Sequence, residues 1–157
     1  MNLTIDASVF VAASRADEVH YHASRQFLQQ IRAQRCNLYC PTLVLPECAA
    51  AIARPTADAR LAEELVSLIE TFPRLQLVSL DLPLARRAVQ VARDHRLRGA
   101  DSVYVSVAEA FDSELIAWDA EMLELGTVVV AAMTPLEWME EQTAAESTRV
   151  DYNSSGS

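Results

Sequence analysis

Four carboxylates stand at the edges of short apolar segments: Asp6 after "NLTI", Glu47 in "LVLPECAAAIA", Asp101 in "LRGADSVYVSVAEAF" and Asp119 after "ELIAW". Gathered in one cleft, such acids repel one another and persist only when protonated or when they hold a cation. A ligand set of oxygens alone, without histidine or cysteine, suits Mg2+ or Mn2+. That ion bridges an acidic cleft to a phosphodiester and makes hydroxide from bound water near neutral pH, so phosphorus is attacked in line without a protein nucleophile. Singly, each acid has a plainer reading. Asp6 and Asp101 stand where helix N-caps stand, Asp119 where a turn could begin, and Glu47 where a helix keeps a polar edge. Ser8 and Ser102 lie beside two of the aspartates and could orient a carboxylate or a bound water, or supply a further cap.

Whether the acids meet depends on the elements that carry them. Short β-rich segments are expected at Asn2 to Asp6, Asn37 to Cys40, Leu75 to Leu80, Glu114 to Trp118 and Thr127 to Ala132. Helical periodicity fills the gaps: a helix from Ala7, a second capped by Asp17, a third after Thr42 with Pro46 bending its first turns, a fourth from Leu61, a fifth capped by Asp81 and a sixth opened by Asp101. Only the last two strands are close enough for a tight hairpin. Strands separated by helices argue for a three-layer α/β/α sandwich on a mainly parallel five-stranded sheet. In the order 3-2-1-4-5, the first and fourth strands are neighbours at the reversal point, where ligands bind beyond the carboxyl ends. Asp6 and Asp119 would then lie side by side, with Asp101 and Glu47 opening onto the same edge. Residues 1–142 read as a single domain, and the polar tail, 143–157, as disordered.

Composition narrows the chemistry. The net charge of −9 is the wrong sign for gripping nucleic acid with the whole surface. All 13 basic residues are arginine, which excludes Schiff-base lysines and the lysine of a P-loop. The three cysteines, Cys36, Cys40 and Cys48, lack the partners of a zinc site and read as buried thiols in a reducing, cytoplasmic setting. No apolar run is long enough to span a membrane, and no signal peptide is evident. A local basic strip, "ARRAVQVARDHRLR", leads into Asp101. Arg86 and Arg93 share a helix face there, and Arg93, Arg96 and Arg98 are candidate contacts to a nucleic-acid backbone, Arg98 foremost. A solvated helix face is the plainer reading.

The segments "LTIDASVFVA", "YCPTLVLPECAAAIAR", "LRGADSVYVSVAEAF" and "LIAWDAEML" resemble the four acidic motifs of PIN-domain ribonucleases, and most closely those of the VapC toxins of bacterial toxin–antitoxin modules. The resemblance runs from Asn2 to about Met139. It implies an Mg2+- or Mn2+-dependent endoribonuclease in which Asp6, Glu47, Asp101 and Asp119 are catalytic metal ligands and Ser8 supports Asp6. One position departs from the pattern: Ala117 stands where the family often carries Thr or Ser. The resemblance also implies a homodimer, an RNA substrate and an antitoxin protein that covers the cleft. Val9, Phe10, Val11, Phe27 and Leu28 could line an apolar groove for it or simply pack the core. Other classes fit less well. A phosphoacceptor receiver domain needs a lysine, and a haloacid-dehalogenase-like phosphatase needs a second acid where Ser8 stands. Within the same family, an RNA-processing nuclease without toxin role and a catalytically weak RNA-binding protein are the alternatives.

Overall fold

Five short segments pair edge to edge into one sheet in the computed structural model, which describes residues 1–154 and their side chains as far as residue 148. The strands are β1 (Asn2–Ile5), β2 (Asn37–Pro41), β3 (Leu75–Val78), β4 (Glu114–Ile116) and β5 (Ala132–Met133). Their order is β3-β2-β1-β4-β5, as expected. Every pairing is parallel, so the last two strands form a crossover and not a hairpin. The central strand β1 reads Leu3, Thr4, Ile5 without exposed residues, the continuous burial of a sheet covered on both faces.

Eight helices cover the sheet: α1 (Ala7–Ser14), α2 (Tyr21–Ala33), α3 (Val44–Thr56), α4 (Ala59–Glu70), α5 (Leu82–His95), α6 (Gly99–Ala110), α7 (Ala120–Gly126) and α8 (Pro135–Ser154). Helix α6 is buried almost all round, from Ser102 to Ala108, because it lies against both β1 and β2. Helices α2, α4 and α5 are amphipathic and bury one stripe each, for example Phe27 and Ile31 in α2 and Leu65 and Ile69 in α4. Cys36, Cys40 and Cys48 are free and buried, and burial pushes the Cys40 thiol up to about 12, so it stays protonated.

The structure departs from the sequence reading in four places. The run Val128–Val130 is not a strand; the chain leaves α7 in turns in which Val129 and Val130 both donate to the Gly126 carbonyl, and Val128 is exposed. Local β-propensity loses there to continuation of the helix end. Asp17 does not cap α2, because Arg15 pairs with it at 2.8 Å and the helix starts later, at Tyr21. Pro46 sits in the first turn of α3, where a missing amide costs little, and the helix begins after Leu43 without a side-chain cap from Thr42. The segment from Thr143, expected to be disordered, continues α8 to Ser154; residues 155–157 lie outside the described residues. Ala144, Ala145 and Glu146 are good helix formers, and the hydroxyls of Thr143, Ser147 and Thr148 bond back to carbonyls four residues earlier. Helix α8 is anchored by Trp138, which is fully buried and meets Phe27 edge-on at 5.3 Å between ring centroids.

Candidate active site

Register places the first acid. Ile5 of β1 pairs with Ile116 of β4, and the Asp6 amide donates to the Ile116 carbonyl at 3.0 Å. Asp6 is therefore the residue that leaves the sheet at its carboxyl edge, where β1 turns into α1. Its Oδ2 accepts from the Ser8 amide at 3.0 Å, which caps α1. Asp119 does the same after β4: its Oδ1 accepts from the Met122 amide at 2.9 Å and caps α7. For both residues the cap and the cleft are compatible, since a single carboxylate oxygen caps the helix. Asp101 is different. It is the third residue of α6, whose N-cap is Arg98, and it makes no capping bond. Asp101 is therefore not the N-cap of α6, though it remains an acid in its first turn. Glu47 lies in the first turn of α3, after β2.

The four carboxylates share one field. Asp6 is 6 % exposed, and burial raises its pKa above the usual carboxylate range against the opposing Ser8 bonds, with Asp119 adding to the rise. Burial likewise pushes Glu47 up to about 7, helped by the charge of Asp6 and less by Asp101. Burial raises Asp101 as well; Arg98 opposes the shift, and Asp119 and Asp6 reinforce it. Asp119 alone falls below its ordinary value: burial works against it, but the Met122 amide and the Arg98 guanidinium prevail.

Arg98 stands inside this group. Its Nε donates to Asp101 Oδ2 at 3.0 Å, its Nη2 to Asp119 Oδ2 at 2.7 Å, and Glu121 Oε2 lies 3.4 Å away. The side chain remains 57 % exposed, so it spans the mouth of the cleft and not its floor. Among the described residues, no three His, Cys, Asp or Glu side chains stand close enough to hold an ion as they are placed here. The Arg98 guanidinium lies between two of the acids, Asp101 and Asp119. The other two candidate arginines do not pair with the four acids: Arg93 is exposed and pairs with Asp94, and Arg96 is exposed at the end of α5.

The serines divide. The Ser8 hydroxyl accepts from the Trp118 amide at 3.1 Å and favours the ionised form of Asp6, tying the end of β4 to the first acid. The Ser102 hydroxyl donates to the Gly99 carbonyl at 2.7 Å and serves the α6 backbone, not the cleft. Ala117, at the position where a hydroxyl was expected, is buried, and Trp118 beyond it stacks on His20 at 3.7 Å and donates from its indole to Ser24 Oγ at 2.8 Å. One residue escaped the sequence reading. Tyr104, one turn after Asp101 on α6, is completely buried, and its hydroxyl lies beside Glu47. Glu47 Oε1 and Tyr104 Oη are both buried without a hydrogen-bond partner of good geometry. An aromatic at i+3 from an acid reads as core in a sequence, and only its hydroxyl marks it out.

A divalent cation suits this donor set. All four acids present oxygen, their combined charge is unfavourable when uncompensated, and the buried Glu47 Oε1 lacks a partner. Elsewhere, a cavity of about 320 Å³ opens between α1, α2 and α4, floored by Phe10, Leu28, Leu65 and Phe72 and edged by Arg25 and Arg32. Val9, Phe10 and Phe27, grouped with this groove from sequence, are core residues with no exposure, so Phe10 backs the groove from beneath. No described helix is long and apolar enough to cross a membrane.

The same arrangement of strands recurs in solved structures. VapBC2 of Rickettsia felis, bound to a promoter DNA fragment, superposes with a TM-score of 0.67 at 11% identity, covering 85% of this chain and 98% of that one. VapC20 of Mycobacterium tuberculosis, a toxin that cleaves the sarcin–ricin loop, gives 0.66 at 16% identity, covering 79% and 95%. FitAcB of Neisseria gonorrhoeae gives 0.64 at 17% identity, covering 87% and 99%. No curated protein matches the sequence. At these identities the structural likeness establishes the fold. The family follows from the sequence itself, whose residues 3–127, a span from β1 to the end of α7 that contains the four acids, match the PIN-domain model: the chain belongs to the PIN-domain family.

Proposed function

We propose that the protein is a metal-dependent endoribonuclease, with Asp6, Glu47, Asp101 and Asp119 holding Mg2+ or Mn2+ at the carboxyl edge of the sheet, and that it is the toxin of a toxin–antitoxin pair. The observation that carries this reading is the non-capping Asp101, set with three other carboxylates whose burial and mutual repulsion raise most of their pKa values. When bound, the ion supplies a hydroxide-forming site and neutralises the phosphodiester charge. The protein's own residues do the rest. Ser8 orients Asp6 and locks it to β4. Arg98, once exchanged for the ion, is free to hold an RNA phosphate beside the cleft, with Arg96 and Arg93 further along the strip. An RNA substrate is supported by the activity of the M. tuberculosis neighbour.

The toxin role is supported by neighbours that are toxin–antitoxin assemblies, among them one from Klebsiella pneumoniae. The groove between α1, α2 and α4 offers an apolar floor with Arg25 and Arg32 at its edge, which suits an antitoxin segment carrying apolar and acidic side chains. In this reading the protein acts as a homodimer in the cytoplasm, where its buried thiols stay reduced. The test is cleavage of structured RNAs with Mn2+ by the wild type, by Asp6→Asn and by wild type with excess chelator. Cleavage only by metal-loaded wild type is expected. Equal cleavage by Asp6→Asn, or cleavage in chelator, would contradict the reading.

A further inference from the structure

Tyr104 poses a physical problem that packing does not solve. It lies on α6, three residues after Asp101, so the two share a helix face turned toward the carboxyl edge. The ring has no exposure, and the surrounding core is aliphatic apart from a few aromatics, so phenylalanine would fill the same space. What tyrosine adds is a hydroxyl, and here that hydroxyl is buried without a hydrogen bond. Burying an unpaired hydroxyl opposes folding. The charges that act on it most strongly are those of Asp6 and Glu47. The one neighbouring acceptor in the same condition is Glu47 Oε1, also buried and unpaired. The two open groups are close enough for the Tyr104 hydroxyl to favour the ionised Glu47 carboxylate.

We propose that Tyr104 is a positioning residue of the cation site: its hydroxyl donates to the Glu47 carboxylate and holds it in the orientation that binds a divalent ion. This rests on the metal reading given above. Partners that orient ligands in this way tune metal affinity by about 10–100-fold when removed. Tyr104 does not touch the ion or the substrate; it acts through Glu47. The Tyr104→Phe variant keeps the ring and removes only the oxygen, so the core stays filled.

The experiment is Mn2+ titration calorimetry on wild type, Tyr104→Phe, Glu47→Gln and the double variant, with metal-free thermal melts of each. Tyr104→Phe is expected to bind Mn2+ about tenfold or more weakly, yet to melt at the same temperature as wild type or higher, because an unpaired buried hydroxyl has gone. In the Glu47→Gln background the same change should cost no further affinity. Unchanged Mn2+ affinity in Tyr104→Phe would overturn the proposal while leaving the metal site intact. So would a loss of the same size in the Glu47→Gln background, which would show that Tyr104 acts elsewhere. A lowered melting temperature with unchanged affinity would make the hydroxyl structural. No Mn2+ binding by wild type would overturn the metal reading, and this proposal with it.

Discussion

Replacing Glu47 by glutamine should stabilise the metal-free protein, and only above about pH 5. Burial, Asp6 and Asp101 lift the Glu47 carboxyl from 4.5 to about 7. A carboxyl raised in the folded state is easier to ionise when the chain unfolds. Folding therefore loses stability as pH rises from the unfolded value toward the folded one, and the full penalty is present above about pH 7. At about 1.4 kcal/mol per pH unit, the rise corresponds to at most about 3.4 kcal/mol. Glu47 is only half-buried, so solvent screening reduces this to about 1–2 kcal/mol. For a chain of this size that is a gain of about 3–6 °C in melting temperature near pH 8, and almost none near pH 4, where glutamate is neutral in both states. Melting curves of wild type and Glu47→Gln at the two pH values, both in chelator, measure the difference directly. A destabilised Glu47→Gln at pH 8, or a gain equal at both pH values, would refute the argument that uncompensated charge strains this site.

Three other substitutions probe separate parts of the structure. Arg98→Ala removes the guanidinium that spans Asp101 and Asp119, so Mn2+ affinity should rise several-fold by calorimetry while RNA affinity falls; unchanged RNA affinity would remove Arg98 as a phosphate contact. Trp138→Ala should cost about 3–5 kcal/mol in urea denaturation, since the ring is fully buried against Phe27; a cost below about 1 kcal/mol would mean that α8 is not part of the core. Ala57→Gly should stabilise by up to about 1 kcal/mol in the same assay, because Ala57 ends α3 at φ 54°, ψ 20°, a left-handed conformation that glycine adopts without strain; a loss of stability would show that unfolded-state entropy outweighs that strain.

The strand order was legible because alternation of apolar segments and helices leaves few ways to wind a parallel sheet, and the acids were legible because Asp6 and Asp119 each end such a segment. What the sequence hid is orientation. Closeness to Asp101 singles out Arg98 from Arg93 and Arg96 in the sequence, but its ion pair with Asp119 joins residues 21 apart and has no local signal. Ser8 and Ser102 look alike beside their aspartates, yet the first faces β4 and the second its own helix. Tyr104 is hidden because an aromatic at core spacing betrays nothing of its hydroxyl. The β-branched run after Gly126 and the polar stretch after Thr143 both take their course from a preceding helix, the first leaving α7 in turns and the second prolonging α8.

Asp101 is the residue on which the account turns, since it has no structural duty as a helix cap and lies in the field of Asp6 and Asp119. The decisive measurement is Mn2+ binding by calorimetry near neutral pH, on wild type and on Asp101→Asn, which keeps the size of the side chain and removes its charge. Binding by wild type, with most of the affinity lost in a folded Asp101→Asn, is the expected result. Equal binding by both, or by neither, would contradict a cation site built around Asp101.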